Sequence, residues 1–583
     1  MKKFKNVLVI TLIMTMVMSL FIGCGKPADV GTTDPANEEV TQPTGPKILR
    51  LAGMSAESFN PQVGNSSETT VLMGYIYSTL LDLIVDETGE SVEFVPDHAK
   101  ELPTTEDNIV WTFKLKENIK WTDGTPINAH DYEYSWKMLL DPKLANYASF
   151  LLFDNIPIVN ARNYFTGEAN WEDVGIKVID DYTLEITLET AMPEVDVYLT
   201  FTSRATAPVH KELYEAGMNA DRTETTYGTT LASTPSNGTY RLTEWVRDQF
   251  RAFDKNEDSI MADIFVPDRI ESRVVTESST RLQLFENGEI DAVSVSGEDY
   301  DRYAEDPRLV YNERNSVWGF YVNAGSKTNP ILGNNDFRKA LYYATNRDAM
   351  SKGIFRTFAS APYFISTICL VGDPDSGQKY RDTSEAKGIM PQNYGYDIEL
   401  AKEYFDKAYE SNGNKKITVE ITYFDGQETM KRLAEVAEEE YEKVFGTDKL
   451  DIVLRAMPPN AAYETYYEGN FDLGIGARSQ NPFNPWSSMK VWTSDFPEKA
   501  ESFYNKDFDK LYERTTVGDL LLDPAGRTKA LAEMENMLID EIPMIPIFQN
   551  NNAILYQERI HLKTKGKFLP VVEFGILQSE IVD

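Results

Sequence analysis

The stretch from residue 416 to 456 constrains the fold more than any other. Ile417, Val419, Ile421 and Tyr423 alternate with polar neighbours, the period of a half-buried strand. Met430, Leu433, Ala434, Ala437, Tyr441 and Val444 then recur at helical spacing, and Gly446 follows as a stop. Leu450, Ile452 and Leu454 alternate once more. Strand, helix and strand within roughly 40 residues make a βαβ unit, which favours a parallel pair with a right-handed crossover. The chain is therefore read as α/β. A further strand is marked by Leu184, Ile186 and Leu188 between Thr183, Glu185, Thr187 and Glu189. Phe337, Ala340, Leu341 and Ala344 predict a helix capped by Asp336.

The charge balance narrows the partners. Of 583 residues, 57 are Lys or Arg and 92 are Asp or Glu, a formal net charge of −35. Such a surface repels phosphate and anionic lipid, so no nucleic acid partner is expected and any membrane attachment should be covalent. Two cysteines, Cys24 and Cys369, cannot build a disulfide framework, and four scattered histidines lack metal-ligand spacing. No metal and no cofactor are expected.

The first residues read as an address. Lys2, Lys3 and Lys5 precede an apolar run, Val7–Ile22, broken only by Thr11, Thr15 and Ser19. At about 16 residues this is a secretory signal rather than a bilayer span, which needs about 20. Gly23-Cys24 at its end resembles a bacterial lipobox, with Phe21 in the usual Leu place and Leu20 one place earlier. Residues 1–23 are thus expected to be a lipoprotein signal peptide and Cys24 the site of lipid attachment, on the outer face of a bacterial cell membrane. Residues 24–46, polar and carrying Pro27, Pro35, Pro43 and Pro46, read as a disordered tether.

Enzyme signatures are absent from the sequence: no Walker loop, no GxSxG elbow, no HExxH. The Gly372–Gly377 segment reads as a solvated turn, and Cys369, after Ile365–Ile368, as a buried inert thiol. Aromatic residues make up 12% of the chain. Most belong in a core, but the excess of Tyr and Trp suits a cleft that grips organic ligands.

One long stretch is more specific. Trp111-Thr-Phe-Lys-Leu-Lys-Glu-Asn-Ile-Lys-Trp-Thr-Asp-Gly-Thr-Pro126, continuing through Ala129 to Trp136 and Asp141-Pro142, closely resembles the signature of family 5 solute-binding proteins, the extracytoplasmic receptors of oligopeptide ABC importers. Phe59-Asn-Pro61, the run Val174–Leu184, Pro235–Tyr240, Asn287–Asp291, Phe337–Leu341 with Asn346-Arg347, and Phe471-Asp472 follow in that family's order. The resemblance implies a two-lobed periplasmic-binding-protein-like fold with an extra subdomain inserted in the first lobe. The first lobe would comprise 47–76, 196–318 and 549–583, the insert 77–195 and the second lobe 319–548. It implies a monomeric receptor, not an enzyme, that captures oligopeptides and delivers them to ABC permease subunits. An oligosaccharide, an opine or a metal chelate is the alternative cargo.

In the family, ligand lies along a strand edge within a Gly-Trp-x-Ala-Asp-Tyr-x-Asp-Pro pattern, whose first Asp pairs with the peptide's amine. Counted without gaps, that pattern falls on Ala477, Arg478, Ser479, Gln480, Asn481, Pro482, Phe483, Asn484 and Pro485, and a shifted register would set Arg478 against the first Asp. The carboxylate is missing: Asn481 can offer only its amide oxygen, and a charge-assisted bond is about twice as strong. Arg478, in the Trp place, could instead hold a ligand carboxylate, which opens the cargo to acidic or N-blocked compounds. Arg478, Ser479, Gln480 and Asn481 are therefore ligand-binding candidates, together with Tyr147, Trp318, Asn65, Ser66 and Ser67 by position in the matched motifs.

Overall fold

Ile417–Phe424 and Leu450–Met457 pair in parallel from Ile417↔Leu450 to Phe424↔Met457, joined by the helix Glu428–Phe445. This is the βαβ unit that the 416–456 pattern demands. The computed structural model describes residues 45–582 apart from 64–66, 373–376, 497–499, 501 and 565–571. The leader at 1–23, Cys24, the tether as far as residue 44, Asn65, Ser66 and most of the Gly372–Gly377 turn lie outside the described residues.

The βαβ unit forms one end of a larger sheet. Leu473–Ser479 lies beside Ile417–Phe424, then come the two long strands Leu309–Val322 and Met544–Tyr556, and Ala292–Val295 closes the far end. The long strands run antiparallel, from Leu309↔Leu555 to Tyr321↔Met544, and their register shifts between Glu313 and Val317. On one side of that shift they meet a core drawn from Val317 to Phe548. On the other they meet buried clusters built from Leu49–Ile270, from Leu282–Val295 and from the C-terminal segment. Two bodies of core thus share two strands.

Among the described residues the first body carries three smaller sheets besides the two-residue pair Ile560–His561 with Glu580–Ile581. Ile48–Gly53, Arg269–Val274, Phe250–Lys255 and Tyr240–Val246 form one, Val110–Lys114, Thr183–Thr187 and Ile176–Asp180 the second, and Leu81–Val85 with Val92–Pro96 a hairpin. Trp111, Phe113 and Leu115 are all buried, as their alternation requires. Asn128 caps the following helix, Ala129–Leu139, accepting from the His130 amide while Asp131 reaches back to the Asn128 amide. The helix Asn335–Ala344 corrects one expectation. Its cap is Asn334, whose side chain accepts from the Phe337 amide, and Asp336 sits in the first turn, where its charge suits the positive end of the helix.

Most aromatic side chains are core. Trp111, Trp121, Trp136 and Trp492 rank among the largest fully buried groups. Cys369 is also fully buried, and burial pushes its thiol up to about 12, which keeps it unreactive. No helix among the described residues is long and apolar enough to cross a membrane.

At Gly319 the long strands approach each other closely. A Cβ there would stand 2.0 Å from the backbone oxygen of Ile545, which no rotamer can relieve. Gly319→Ala is expected to cost about 2–3 kcal/mol, read as a lower urea midpoint. Gly388→Ala, with open space around it, should leave the midpoint nearly unchanged.

Candidate functional site

A cleft of about 770 Å³ opens between the two bodies of core. One wall comes from Phe153–Asn155 and the helix Glu194–Thr202, through Asp196, Leu199 and Thr200. The other comes from Asn481, Asn484 and Lys490, and from the helix Lys506–Thr516, through Asp509, Tyr512 and Glu513. A volume of this size holds a short peptide or a compound of similar bulk.

The strand Leu473–Ser479 leads into this cleft. It pairs with the first long strand from Val322↔Leu473 to Ser316↔Ser479, but with Ile417–Phe424 only through residues 473 and 474. Beyond Gly474 that second edge has no strand partner among the described residues. Gly476 is required by its neighbour: a Cβ would fall 2.2 Å from the Tyr321 ring, which lies across the strand and donates its hydroxyl to the Ala477 carbonyl at 2.5 Å.

The four consecutive candidates have different fates. Arg478 stacks its guanidinium over Tyr321 at 4.8 Å and over Trp492 at 5.5 Å, and it is not among the described residues lining the cleft. Its charge is held by aromatic faces rather than presented to a ligand carboxylate. Ser479 is exposed, its hydroxyl 2.8 Å from that of Ser316. Gln480 turns inward: its Oε1 accepts from the Ser366 amide at 2.7 Å and its Nε2 donates to the Phe364 carbonyl, so its amide braces the core. Asn481 does line the cleft, but its Oδ1 accepts from the amides of Phe483 (3.0 Å) and Asn484 (3.3 Å). The oxygen expected to meet a ligand amine is spent on a local turn.

Trp318 pairs with Ala477 across the strands and stacks on Phe548, rings 6.2 Å apart, with its indole N–H buried and unpaired. Tyr147 is 71% exposed and sits edge-on to Phe150, one turn ahead of the wall at Phe153; it is not itself among the described lining residues. Ser67 opens the helix Ser67–Ile76.

Sequence reading missed the group that joins the walls. Asn484 donates to Asp196 Oδ1 at 2.5 Å, and Arg527 approaches Oδ2 at 3.9 Å without bonding it. Asp196 is 5% exposed, and Oδ2 has no hydrogen-bond partner among the described residues. Arg527 lies over the Trp486 ring at 4.1 Å, and Trp486 donates to the Arg527 carbonyl at 2.7 Å. Next to them Phe483 is buried among Leu83, Val85 and Val92 of the opposite body, worth about 2 kcal/mol of apolar burial. The one available signal was a carboxylate beside Val197 and Phe201 in a helix with an apolar face.

Burial pushes the Asp196 carboxyl up from 3.8 to about 6, against the opposing pulls of Arg527 and Asn484. Between about pH 4 and pH 6 the folded chain holds a proton that the unfolded chain has released, so this group's contribution to stability falls as pH rises through that window. The loss is about 3 kcal/mol, and the contribution is level above it. Asp196→Asn should flatten that part of the profile, so the decline in urea midpoint from about pH 4.5 to 7 is smaller in the variant than in the parent.

Comparison with known proteins follows the same outline. The profile described as bacterial extracellular solute-binding proteins, family 5 Middle, matches residues 93–499. The dipeptide-binding protein DppE of Bacillus subtilis is 24% identical over 544 residues, covering 92% of this chain and 93% of its own. Among solved structures, the peptide-bound OppA of Listeria monocytogenes superposes with a TM-score of 0.68 at 22% identity, covering 93% of this chain and all of its own. The unliganded open form of the murein tripeptide-binding protein MppA gives 0.71 at 20%, covering 93% and 99%. These structures share the two-lobed α/β fold. With its profile match over most of its length, this chain belongs to the family 5 extracellular solute-binding proteins of ABC importers, which bind solutes and are not enzymes.

Proposed function

We propose that this protein captures oligopeptides outside a bacterial cell and hands them to the permease subunits of an ABC importer. It acts as a monomer tethered to the outer face of the cell membrane through acylated Cys24. The observation that carries this reading is the edge of Leu473–Ser479 that has no strand partner beyond Gly474 among the described residues, with Asn481, two residues on, lining the cleft between the two cores. An extended peptide can add to such an edge through main-chain hydrogen bonds, which give affinity with little regard to side chains. The relatives named above for dipeptides, peptide and murein tripeptide support the same cargo.

In this reading the lobes comprise 47–76, 196–318 and 549–583 in the first, 77–195 as its insert, and 319–548 in the second, and the grouping of buried residues into two main cores supports the division. Closure about the shared strands buries the ligand, and contacts from both walls favour the closed form. Saccharide cargo fits less well, because Phe153 and Tyr512 are the sole aromatic rings among the described lining residues.

Two measurements test this reading. Calorimetry with a mixed library of short peptides should give saturable heat and a raised melting temperature; silence in both would remove peptide as the cargo. In cells, Cys24→Ser should release the protein into the medium, while retention of the variant on the membrane fraction would remove the anchor.

A further inference from the structure

We propose that the cleft selects cationic peptides, with Asp196, Asp509 and Glu513 receiving the ligand's ammonium or guanidinium groups. This rests on the reading of the cargo as peptide and goes further by naming the class of peptide. It also reverses the charge expected from Arg478, which the aromatic rings of Tyr321 and Trp492 hold away from the lining.

The described lining carries five carboxylates, Asp154, Asp196, Asp495, Asp509 and Glu513, against two cations, Lys490 and Arg527. Both cations are already engaged. Lys490 binds Asp495 at 2.7 Å, and Arg527 lies over Trp486 while facing Asp196. Asp154 pairs outward with Arg162. Asp509 and Glu513 are left, four residues apart on one face of the helix Lys506–Thr516, and neither has an ion pair among the described residues. Like charges at this spacing weaken a helix unless a counter-charge sits between them. Among the described residues Asp509 takes one hydrogen bond, from the Ser494 amide to Oδ1 at 2.8 Å, and its side chain lines the cleft.

Asp196 supplies an independent indication. Its Oδ2 is buried in the cleft wall with no hydrogen-bond donor among the described residues, and Arg527 stops 3.9 Å away. Among the described residues its one hydrogen-bond donor, Asn484, comes from the opposite wall. Opening the cleft withdraws Asn484 and leaves Asp196 facing the incoming ligand. A ligand cation that reaches it there completes a carboxylate whose Oδ2 no described residue bonds, and a cleft with low-dielectric walls concentrates the field of a chain carrying −35.

The test is calorimetry of the purified protein with three matched pentapeptides: Ala-Lys-Ala-Lys-Ala, penta-alanine and Ala-Glu-Ala-Glu-Ala. The lysine peptide should bind about tenfold more tightly than penta-alanine, and the glutamate peptide most weakly, with the spread narrowing in about 0.5 M NaCl. Asp509→Asn with Glu513→Gln should erase most of the lysine advantage, weakening the lysine peptide several-fold more than penta-alanine, and Asp196→Asn should reduce it further. Glu399→Gln with Glu439→Gln, both on outward helix faces, should change nothing. Equal binding of all three peptides, or an equal loss from the outward pair, overturns the proposal while leaving peptide capture intact. Absence of binding by every peptide removes the underlying reading and this inference with it.

Discussion

The antiparallel pairing of Leu309–Val322 with Met544–Tyr556 is the contact on which the rest of the structure depends. Among the described residues it is the one ladder that enters both bodies of core, and it is irregular where it passes between them. At that shift the carbonyl of Arg314 loses its ladder partner, and Gln549 replaces it, donating from its fully buried amide at 2.9 Å. The same Gln549 binds Thr367 through both ends of its amide. A buried polar side chain thus completes a bend that the backbone cannot close by itself, at the cost of tolerating no apolar substitute. Dihedral change is easiest where the ladder is broken and hardest inside the two cores, so these strands both hold the halves together and set where they can move.

Residues that repeat the family's motifs turn out to answer buried polar problems, which is why they were legible. Asp291 is fully buried and takes the Arg50 side chain at 2.7 Å, the Arg50 amide at 2.7 Å and Arg559 at 3.1 Å, tying the first strand, the Asn287–Asp291 turn and the C-terminal segment together. Asp472 accepts from Asn329 and from the Glu420 amide. Arg347 is buried and donates to the carbonyls of Pro546 and Gly395. Each such group needs a partner of one geometry, since an unpaired buried charge costs several kcal/mol (about 3–5). A pattern constrained that tightly survives in a single sequence. The βαβ unit was legible for a different reason: alternation and helical spacing report directly on which face is buried.

The binding wall followed neither rule. Gln480 and Arg478 sit where ligand contacts were expected, yet one braces the core and the other stacks on rings. Nothing local distinguishes an Arg beside Gly476 that meets solvent from one that meets Tyr321, because Tyr321 lies 157 positions earlier in numbering and arrives only through strand pairing. Asp196 was hidden for the same reason: its partner Asn484 is 288 residues away. Sites made where two bodies meet are written in pairs of distant residues, and periodicity carries no record of such pairs.

That pairing also accounts for a departure that looked like a loss. Where the family pattern has a second Asp, this chain has Asn484, and Asn484 faces a carboxylate that is 5% exposed. Two carboxylates 2.5 Å apart in that setting could not both ionise, and one would have to carry a proton at neutral pH. An amide presents an N–H instead, so the walls can meet without expelling Asp196 from its place. With Asp196 on the facing helix, the neutral residue at 484 lets the walls meet at this point, while the cleft's carboxylates are divided between its sides, Asp154 and Asp196 on one and Asp495, Asp509 and Glu513 on the other.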